Sequence, residues 1–204
     1  MEVRVRIDAE SLTRREGYRL MTSVIVPRPI AWVGTKSLQG VCNLAPFSFF
    51  NGVSSHPPIV SISVARGRGG VLKDTARNIL ERQELSISIV SWNCLQSMHD
   101  SSAAYGPEES EFEALGIPVS QCLAVDAPRP AEAAVVLECR LHQAIDLEST
   151  HLILARVLAY DVDEHMLKNG AVQPELLEPV CRLGGSYAAL GEQHELPRAI
   201  KRMD

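Results

Sequence analysis

The stretch NLAPFSFFNGVSSHPP, residues 43–58, governs much of the interpretation of this chain. Its sixteen residues carry no formal charge, although charged residues make up 22% of the sequence. It holds three of the four phenylalanines together with three serines and three prolines. Such a composition fits neither an ordinary polar loop nor a regularly alternating strand. We therefore expect part of this stretch to be buried against a partner that also contacts hydroxyl groups.

The length and composition indicate one globular domain, which we assign to residues 1–204. The chain has 204 residues, 46% of them hydrophobic, a formal net charge of −5 and an isoelectric point near 5.7. A chain of this length buries a substantial core in a single domain. No segment approaches the roughly eighteen consecutive apolar residues of a membrane span, so we expect no membrane insertion. The acidic balance argues against a nucleic-acid partner.

The N-terminal residues indicate the cellular compartment, and the cysteine pattern indicates whether the protein binds a metal. The first residues, MEVRVRIDAESLTRREGYRL, are charged throughout and lack the apolar core of a signal peptide, so we expect a cytoplasmic protein. The five cysteines are odd in number, widely spaced and without a CxxC pair. This pattern argues against a disulfide framework and against a zinc site, and we predict no metal centre.

Alternation of residue types predicts most of the strands. Residues 59–65 (IVSISVA) and 84–90 (ELSISIV) alternate apolar with small polar residues, which is typical of strands with one buried face. Residues 134–147 and 150–162 also alternate, and the short link between them predicts a long hairpin.

An earlier hairpin is predicted around the uncharged stretch. Residues 23–35 are rich in valine and isoleucine and lead through the polar turn KSLQG, residues 36–40, into residues 43–58. A strand, a turn that ends in glycine and a second extended segment are typical of a hairpin.

Short helices are predicted between the strands. Residues 74–83 (DTARNILERQ) have helical composition, with Asp74 or Thr75 suited to cap the start. Residues 92–100 and 110–115 are further candidates. The resulting order lacks the regular strand–helix alternation of a Rossmann sheet, and an antiparallel barrel with inserted helices fits better.

The familiar catalytic motifs are absent from the sequence. There is no GxSxG, HExxH, P-loop or GxGxxG pattern. The basic, glycine-rich residues 66–70 have the wrong spacing for a phosphate loop, and we interpret them as a flexible connection. The acidic residues 161–165 follow a strand and are interpreted as a solvated turn. His56 has no acid–base partner nearby in the sequence, and we interpret it as structural or solvent-facing.

The segment KDTARN, residues 73–78, could bind an anion. A lysine, a threonine hydroxyl and free backbone N–H groups meet here at the predicted start of a helix. Such a terminus favours a phosphate through its dipole and its unpaired donors. Alternatively, Asp74 and Thr75 only cap the helix while Lys73 and Arg77 face water. The residues alone leave both interpretations open.

Several short motifs, in order along the chain, resemble a known protein family. They are RPIAWV at 28–33, Gly40, NLAPFSFFN at 43–51, VSS at 53–55, Pro57–Pro58, KDT at 73–75 with Asn78, SEF at 110–112, and RLGGSY at 182–187. Together they are similar to the flavin reductase-like, FMN-binding split-barrel family, specifically its flavoredoxin-like branch. Each motif is modest alone, and their common order makes the resemblance specific.

The resemblance implies a mainly β fold with short helices, a six-stranded antiparallel split barrel. It also implies a homodimer that binds FMN noncovalently in a cleft near the subunit interface. The implied cofactor-binding residues are Asn43, Leu44, Ala45, Pro46, Phe47, Ser48, Ser63, Val64, Ala65, Arg66, Lys73, Asp74, Thr75 and Asn78, with Gly184, Gly185 and Tyr187 on the substrate side. Residues 43–48 would line the flavin ring, and the later residues would hold the ribityl chain and the phosphate.

Some nearby residues stay outside this predicted site. Arg28 could be an ion-pair residue as readily as a ligand. Phe49 and Phe50 would point to opposite faces of a continuous strand, so we expect one of them in the core. The roles of Arg68 and of the C-terminal tail are open.

The resemblance implies an oxidoreductase in which FMN accepts a hydride from NAD(P)H, a transient co-substrate. The acceptor would be free flavin, another small-molecule electron acceptor or a partner oxygenase. The flavin carries the chemistry, so no catalytic residue of the protein is required. One alternative is an FMN-binding electron-transfer protein of the flavoredoxin type without independent NAD(P)H activity. Another is a flavin-storing or purely structural barrel.

Overall fold

Fourteen strands and five α-helices lie among residues 4–196, which are the residues that this computed structural model describes. The strands are β1 (Arg28–Pro29), β2 (Ala31–Lys36), β3 (Cys42–Phe47), β4 (Phe50–Ser55), β5 (Pro58–Ala65), β6 (Glu84–Ile89), β7 (Val119–Gln121), β8 (Pro128–Pro130), β9 (Val135–Asp146), β10 (Thr150–Val162), β11 (Leu167–Lys168), β12 (Ala171–Val172), β13 (Cys181–Arg182) and β14 (Tyr187–Ala188). The helices are α1 (Arg14–Val24), α2 (Asp74–Arg82), α3 (Leu95–Asp100), α4 (Glu111–Ala114) and α5 (Pro174–Leu177).

A seven-stranded antiparallel sheet forms the centre of the fold. Its strands lie in the order β3-β2-β6-β9-β10-β5-β4. The two edge strands, β3 and β4, are joined only by Ser48 and Phe49. Because so short a link holds the two edges near each other, the sheet curls into a barrel with a split between β3 and β4. The predicted antiparallel barrel with inserted helices is thus confirmed.

The sheet has seven strands rather than the predicted six, because the uncharged stretch 43–58 forms parts of three strands. Its first half is β3, and the chain breaks at Ser48 before β4 begins at Phe50. Phe50 packs against the main core, as expected for one of the two phenylalanines. Phe49 instead lies beside Tyr18, with 6.4 Å between the ring centroids.

Both predicted hairpins are present. β2 pairs with β3 from Ala31↔Phe47 to Lys36↔Cys42, and β9 pairs with β10 over nearly their whole lengths. The predicted strands at 59–65 and 84–90 are β5 and β6. The predicted helices at 74–83, 92–100 and 110–115 appear as α2, as a 3₁₀ turn followed by α3, and as α4.

Helix α1 corrects the predicted strand at residues 23–35, whose first two residues belong to this helix. Thr13 caps α1: its Oγ1 accepts from the N–H of Glu16 at 3.3 Å, and the Glu16 carboxylate accepts from the N–H of Thr13 at 2.9 Å. This reciprocal capping box starts a helix efficiently. Tyr18, Met21 and Val24 recur at helical spacing on α1, but they are exposed and only Thr22 is buried on this helix.

Most buried apolar residues fall in two clusters, and a third, smaller cluster includes Val125 and Val136. The barrel interior contains fully buried residues from β5, α2, β6 and β10, namely Ile62, Ile79, Leu85, Ile87 and Ile153. A second cluster contains Trp32, Leu44, Met98 and Phe112 and packs α3 and α4 against β2 and β3. Burial of apolar surface drives both contacts. The second cluster matters for function, because it fixes α3 and α4 beside the edge strand β3.

Glycine is required at one position in β2. A Cβ atom at Gly34 would clash with the backbone carbonyl oxygen of Pro128 and would lie 2.6 Å from Ser86 Oγ. This close approach seats β8 on β2 and β6. None of the helices among residues 4–196 is long and apolar enough to cross a membrane. The single domain over residues 1–204 stays a prediction, and residues 1–3 and 197–204, including the end of the C-terminal tail, lie outside the described ones.

Candidate functional site

A cavity of about 370 Å³ lies beside the edge strand β3. Its walls come from β3, from the start of α2, from residues 101–105 and from Glu111 at the start of α4. The volume falls within the range of small-molecule sites, roughly 300–1,000 Å³. The predicted site residues that line it are Asn43, Ala45, Pro46, Phe47, Lys73, Asp74 and Thr75. Contact of these residues with a flavin stays a prediction.

The alternation of β3 explains which of its side chains reach the cavity. Asn43, Ala45 and Phe47 are two residues apart and therefore share one face of the strand. Leu44 points to the opposite face and is fully buried in the cluster around Trp32. The sequence had grouped Leu44 with the ring-lining residues, but its side chain belongs to the core.

The backbone of Leu44 nevertheless contributes to the site. Its N–H points away from β2 and donates to Glu111 Oε2 at 2.8 Å. Outward-facing and inward-facing backbone groups alternate along an edge strand, so Pro46 occupies an outward position as well. Proline has no N–H and is tolerated there. The outward side of β3 thus offers backbone carbonyl oxygens to a bound molecule.

The start of α2 forms the second wall and has the character of an anion site. Lys73 is the N-cap residue, and its side chain makes no capping hydrogen bond. This corrects the expectation that Asp74 or Thr75 caps the helix. Asp74 is ion-paired with Arg77, which offsets its negative charge. The Lys73 ammonium group and the helix N-terminus therefore leave a local positive field.

A buried hydrogen bond connects the two walls. Asn43 Nδ2 donates to Thr75 Oγ1 at 3.1 Å, and both side chains are buried. The Thr75 hydroxyl keeps its own proton for another acceptor. This bond holds β3 and α2 at a constant separation on either side of the cavity.

Asn78 does not line this cavity. Its side chain is 1% exposed and its Nδ2 donates to Thr35 Oγ1 at 3.1 Å, which anchors α2 on β2. Thr75 and Asn78 lie on the same side of the helix, and that side is buried. The phosphate contact predicted for Asn78 therefore has no support in the geometry.

The predicted residues of β5 and the following loop lie elsewhere. Val64 is in the main core, and Ala65 is exposed at the end of β5. Arg66 is ion-paired with Asp146 at 2.7 Å and donates to the carbonyl oxygen of Gly70 at 3.1 Å, which closes the loop 66–70. Of that loop, Gly67 reaches the cavity wall, and Arg68 is exposed.

Ser48 and Ser63 line a separate, shallower cavity of about 300 Å³ on the other side of the split. Arg28 lies on the same side and is 4% exposed. Its guanidinium group donates to the carbonyl oxygens of Thr22, Ile25 and Leu183 at 2.8, 2.7 and 2.9 Å. The open question about Arg28 is thereby answered, because these bonds make it an anchor for the end of α1 and for the C-terminal segment.

The three substrate-side candidates also lie apart from the 370 Å³ cavity. Gly184 and Gly185 face α1 across a larger cavity of about 660 Å³. Tyr187 is on β14, where its hydroxyl lies 2.9 Å from His99 Nδ1 and its ring lies under the guanidinium group of Arg182. Their role toward a substrate stays a prediction.

Two parts of the cavity were missed by the sequence reasoning. The first is residues 101–105 (SSAAY), which follow α3. Ser101 Oγ accepts from Trp32 Nε1 at 2.9 Å and donates to the carbonyl oxygen of Met98 at 2.8 Å, so this segment is fixed to the second core cluster. A run of small and hydroxyl residues after a helix, close to Gly106, was the available signal.

The second missed part is Glu111. Its side chain is 5% exposed, and burial raises the pKa of its carboxyl group, with a smaller raising effect from Asp74. The hydrogen bond from Leu44 lowers the same pKa and offsets part of the increase. In the sequence, Glu111 was noted only as the middle residue of the SEF motif, and a single glutamate gave no separate signal for the site.

The remaining candidates from the sequence lie outside the cavity. His56 is in the exposed turn between β4 and β5. Asp161 is ion-paired with Arg129 at 2.9 Å. Within residues 4–196, no group of three or more His, Cys, Asp or Glu side chains is arranged to hold a metal ion.

Comparisons with known proteins identify the class to which this fold and site belong. A family model described as a flavin reductase-like domain matches residues 21–187. The chain belongs to this family. The predicted resemblance and the split-barrel fold are therefore confirmed.

Individual relatives agree with this assignment. The uncharacterized protein BH2278 of Halalkalibacterium halodurans is 37% identical over 201 residues, 95% of this chain and 96% of that protein. Nitrilotriacetate monooxygenase component B from Bacillus cereus is 35% identical, with a TM-score of 0.92 over 96% of this chain and 100% of that one. The 2-nitrobenzoate 2-nitroreductase NbaA from Pseudomonas fluorescens is 29% identical, with a TM-score of 0.87 over 96% of each chain.

The residues of the cavity fit a flavin nucleotide. One end carries a lysine, a threonine hydroxyl and a helix N-terminus, which suit a phosphate. The middle and the other end offer the apolar surfaces of Ala45, Pro46 and Phe47 beside backbone carbonyl groups, which suit an aromatic ring with a polar edge. Both kinds of neighbour are present within one cavity.

Proposed function

We propose that the protein is an FMN-dependent oxidoreductase that uses NAD(P)H to reduce a flavin or another small acceptor. The observation that carries this proposal is the single cavity with a cationic helix terminus at one end and an apolar edge strand along its side. Membership of the flavin reductase-like family supports it. The names of two relatives, a monooxygenase component and a nitroreductase, also fit a reductase role.

Each part of the cavity has a distinct task in this proposal. Lys73 and Thr75 would hold the phosphate of FMN, and Asn43 would keep Thr75 in place through their hydrogen bond. Ala45, Pro46 and Phe47 would contact the ring and exclude water from one side. FMN, when bound, supplies the hydride-accepting and electron-donating chemistry. The phosphate of FMN, which riboflavin lacks, would meet the Lys73 ammonium group and the N-terminus of α2.

Reduction by a nicotinamide is the first prediction. The FMN-loaded protein, mixed anaerobically with NADH or with NADPH in a stopped-flow instrument, is expected to lose its visible flavin absorbance with at least one of them. Hydride transfer needs reacting atoms about 3–3.5 Å apart, so a face of the ring must be open to the nicotinamide. If dithionite bleaches the flavin and neither nicotinamide does so at millimolar concentration, the electron-transfer alternative replaces the reductase.

The Gly185→Leu variant tests the predicted substrate side in the same stopped-flow measurement of flavin reduction. A Cβ atom added at Gly185 meets no atom within 4 Å, and the position borders a cavity, so the protein is expected to fold normally. The added leucine would occupy the 660 Å³ cavity, slow reduction by NAD(P)H several-fold and leave FMN affinity unchanged. Gly191→Leu, also without a neighbour within 4 Å, is the matched control. Equal rates for the two variants would contradict the assignment of Gly184 and Gly185 to the substrate side.

We also propose a homodimer. Exposed apolar side chains lie on α1 and on β4, including Val24 at 68% and Val53 at 55% exposure. β4 is an edge strand without a charged residue, which is a surface that proteins usually cover. A second copy of the chain would cover the exposed apolar surface of α1 and β4, beside the split between β3 and β4. We place the dimer in the cytoplasm, where NAD(P)H is available.

The dimer can be tested by sedimentation equilibrium at micromolar concentration. A dimer mass is expected for the wild type, and Val53→Lys is expected to shift the distribution toward monomer. Lys168→Glu, an exposed substitution on β11, is the control for a change of surface charge. A monomer mass for wild-type protein with FMN fully bound would refute the dimer.

A further inference from the structure

Glu111 is a buried carboxyl group in the cavity wall, and the function proposed above does not use it. It begins α4, which packs on β3, and its side chain is 5% exposed. Oε2 accepts from the N–H of Leu44 at 2.8 Å. One carboxyl oxygen is therefore committed to the edge strand, and the other is available for a proton or for a ligand.

The charged and titratable groups around Glu111 come from two segments. The start of α2 contributes Lys73, Asp74 and its ion-pair partner Arg77, and β3 contributes no titratable group to this cavity wall. Residues 101–105 contribute the Tyr105 hydroxyl. Asp74 raises the pKa of Glu111, and burial raises it more.

A flavin in the cavity would strengthen both effects. The ring would displace water from the remaining exposed part of Glu111, and removal of water disfavours a carboxylate. The phosphate of FMN would add negative charge near the same wall. A neutral carboxyl group can instead donate a hydrogen bond to a nitrogen or carbonyl oxygen acceptor on the polar edge of the ring.

We propose that Glu111 is a further ligand-binding residue of this site, which takes up one proton from solvent when a flavin enters and contacts it as a neutral carboxylic acid. The inference rests on the proposed function. The proton binds the oxygen that Leu44 does not occupy, so the hydrogen bond to β3 is kept. Because the bound state holds more protons than the free state, flavin affinity falls as pH rises through this titration.

Riboflavin is the probe for the test, because it lacks the phosphate whose own titration would obscure the result. Calorimetric titration at one pH in two buffers with different protonation enthalpies measures the protons taken up. Wild-type protein is expected to take up a proton on binding, and its dissociation constant is expected to rise by up to about tenfold per pH unit above the pKa of Glu111. Glu111→Gln is expected to show neither effect, because its amide oxygen can still accept from Leu44.

Glu113→Gln is the matched control, because Glu113 lies on the same helix and is exposed. It should behave like the wild type. Absence of proton uptake by the wild type would show that Glu111 stays a carboxylate in the complex, and equal proton uptake by Glu111→Gln would assign the proton elsewhere. Either result overturns the inference while leaving flavin binding intact. If Glu111→Gln fails to fold, absence of proton uptake by the wild type still overturns the inference, and failure of the wild type to bind any flavin would refute the proposed function as well.

Discussion

Lys73→Ala combined with Thr75→Val is expected to weaken FMN binding by roughly two to four orders of magnitude while riboflavin binding changes little. Each charge-assisted contact to a phosphate contributes about 1.5–3 kcal/mol, and the double variant removes two of them. Riboflavin has no phosphate, so it makes neither contact. Titrations followed by quenching of flavin fluorescence measure both dissociation constants.

The controls separate the phosphate contacts from effects on folding. Thr75→Ser keeps the hydroxyl that accepts from Asn43, so it should retain most of the FMN affinity. Lys168→Ala removes an exposed cation on β11 and should change neither ligand. Equal losses of FMN and riboflavin affinity in the double variant would rule out the phosphate position at α2.

Arg28→Met is expected to destabilise the protein by roughly 3–5 kcal/mol, because it leaves one buried and two partly buried carbonyl groups without their donor. The guanidinium group bridges the carbonyl oxygens of Thr22, Ile25 and Leu183, which belong to segments far apart in the sequence. Methionine fills a similar length but donates no hydrogen bond. Chemical denaturation followed by circular dichroism measures the free energy of unfolding.

Arg28→Lys is the informative companion to that variant. Lysine keeps the positive charge but has a single ammonium group, which cannot reach acceptors around a planar fork. An intermediate loss of stability is therefore expected. If Arg28→Met unfolds at the same denaturant concentration as the wild type, the carbonyl groups do not depend on Arg28 and its role as an anchor is wrong.

The strands were predictable where small polar residues alternate with apolar ones, as in β5 and β6. In β6 the expectation of one buried face was wrong, because Ser86 and Ser88 are buried as well. Helix α1 was missed although Tyr18, Met21 and Val24 recur on it at helical spacing. Its capping box at Thr13 and Glu16 was a second signal in the sequence. The break at Ser48, which makes the seventh strand, follows from closure of the barrel and has no local signature.

The site was predictable where neighbours in sequence are neighbours in space. Asn43 and Phe47 share a strand face, and Lys73 and Thr75 share a helix start. Asn78 was grouped with Lys73 and Thr75 because it belongs to the same motif. Its side chain instead faces β2, where it bonds to Thr35. Glu111 bonds to Leu44 across 67 residues, and no local pattern predicts such a contact. The substrate-side residues depend on how the C-terminal segment folds back against α1.

A crystal structure of the protein with FMN would locate the flavin directly. We expect the ring against Ala45, Pro46 and Phe47, and the phosphate at the start of α2 within hydrogen-bonding distance of Lys73 and Thr75. The separate cavities at Ser48 and at Gly184–Gly185 are the alternative positions in the same molecule. A flavin bound in either of them, with the cavity beside β3 occupied only by water, would contradict the placement of FMN beside β3.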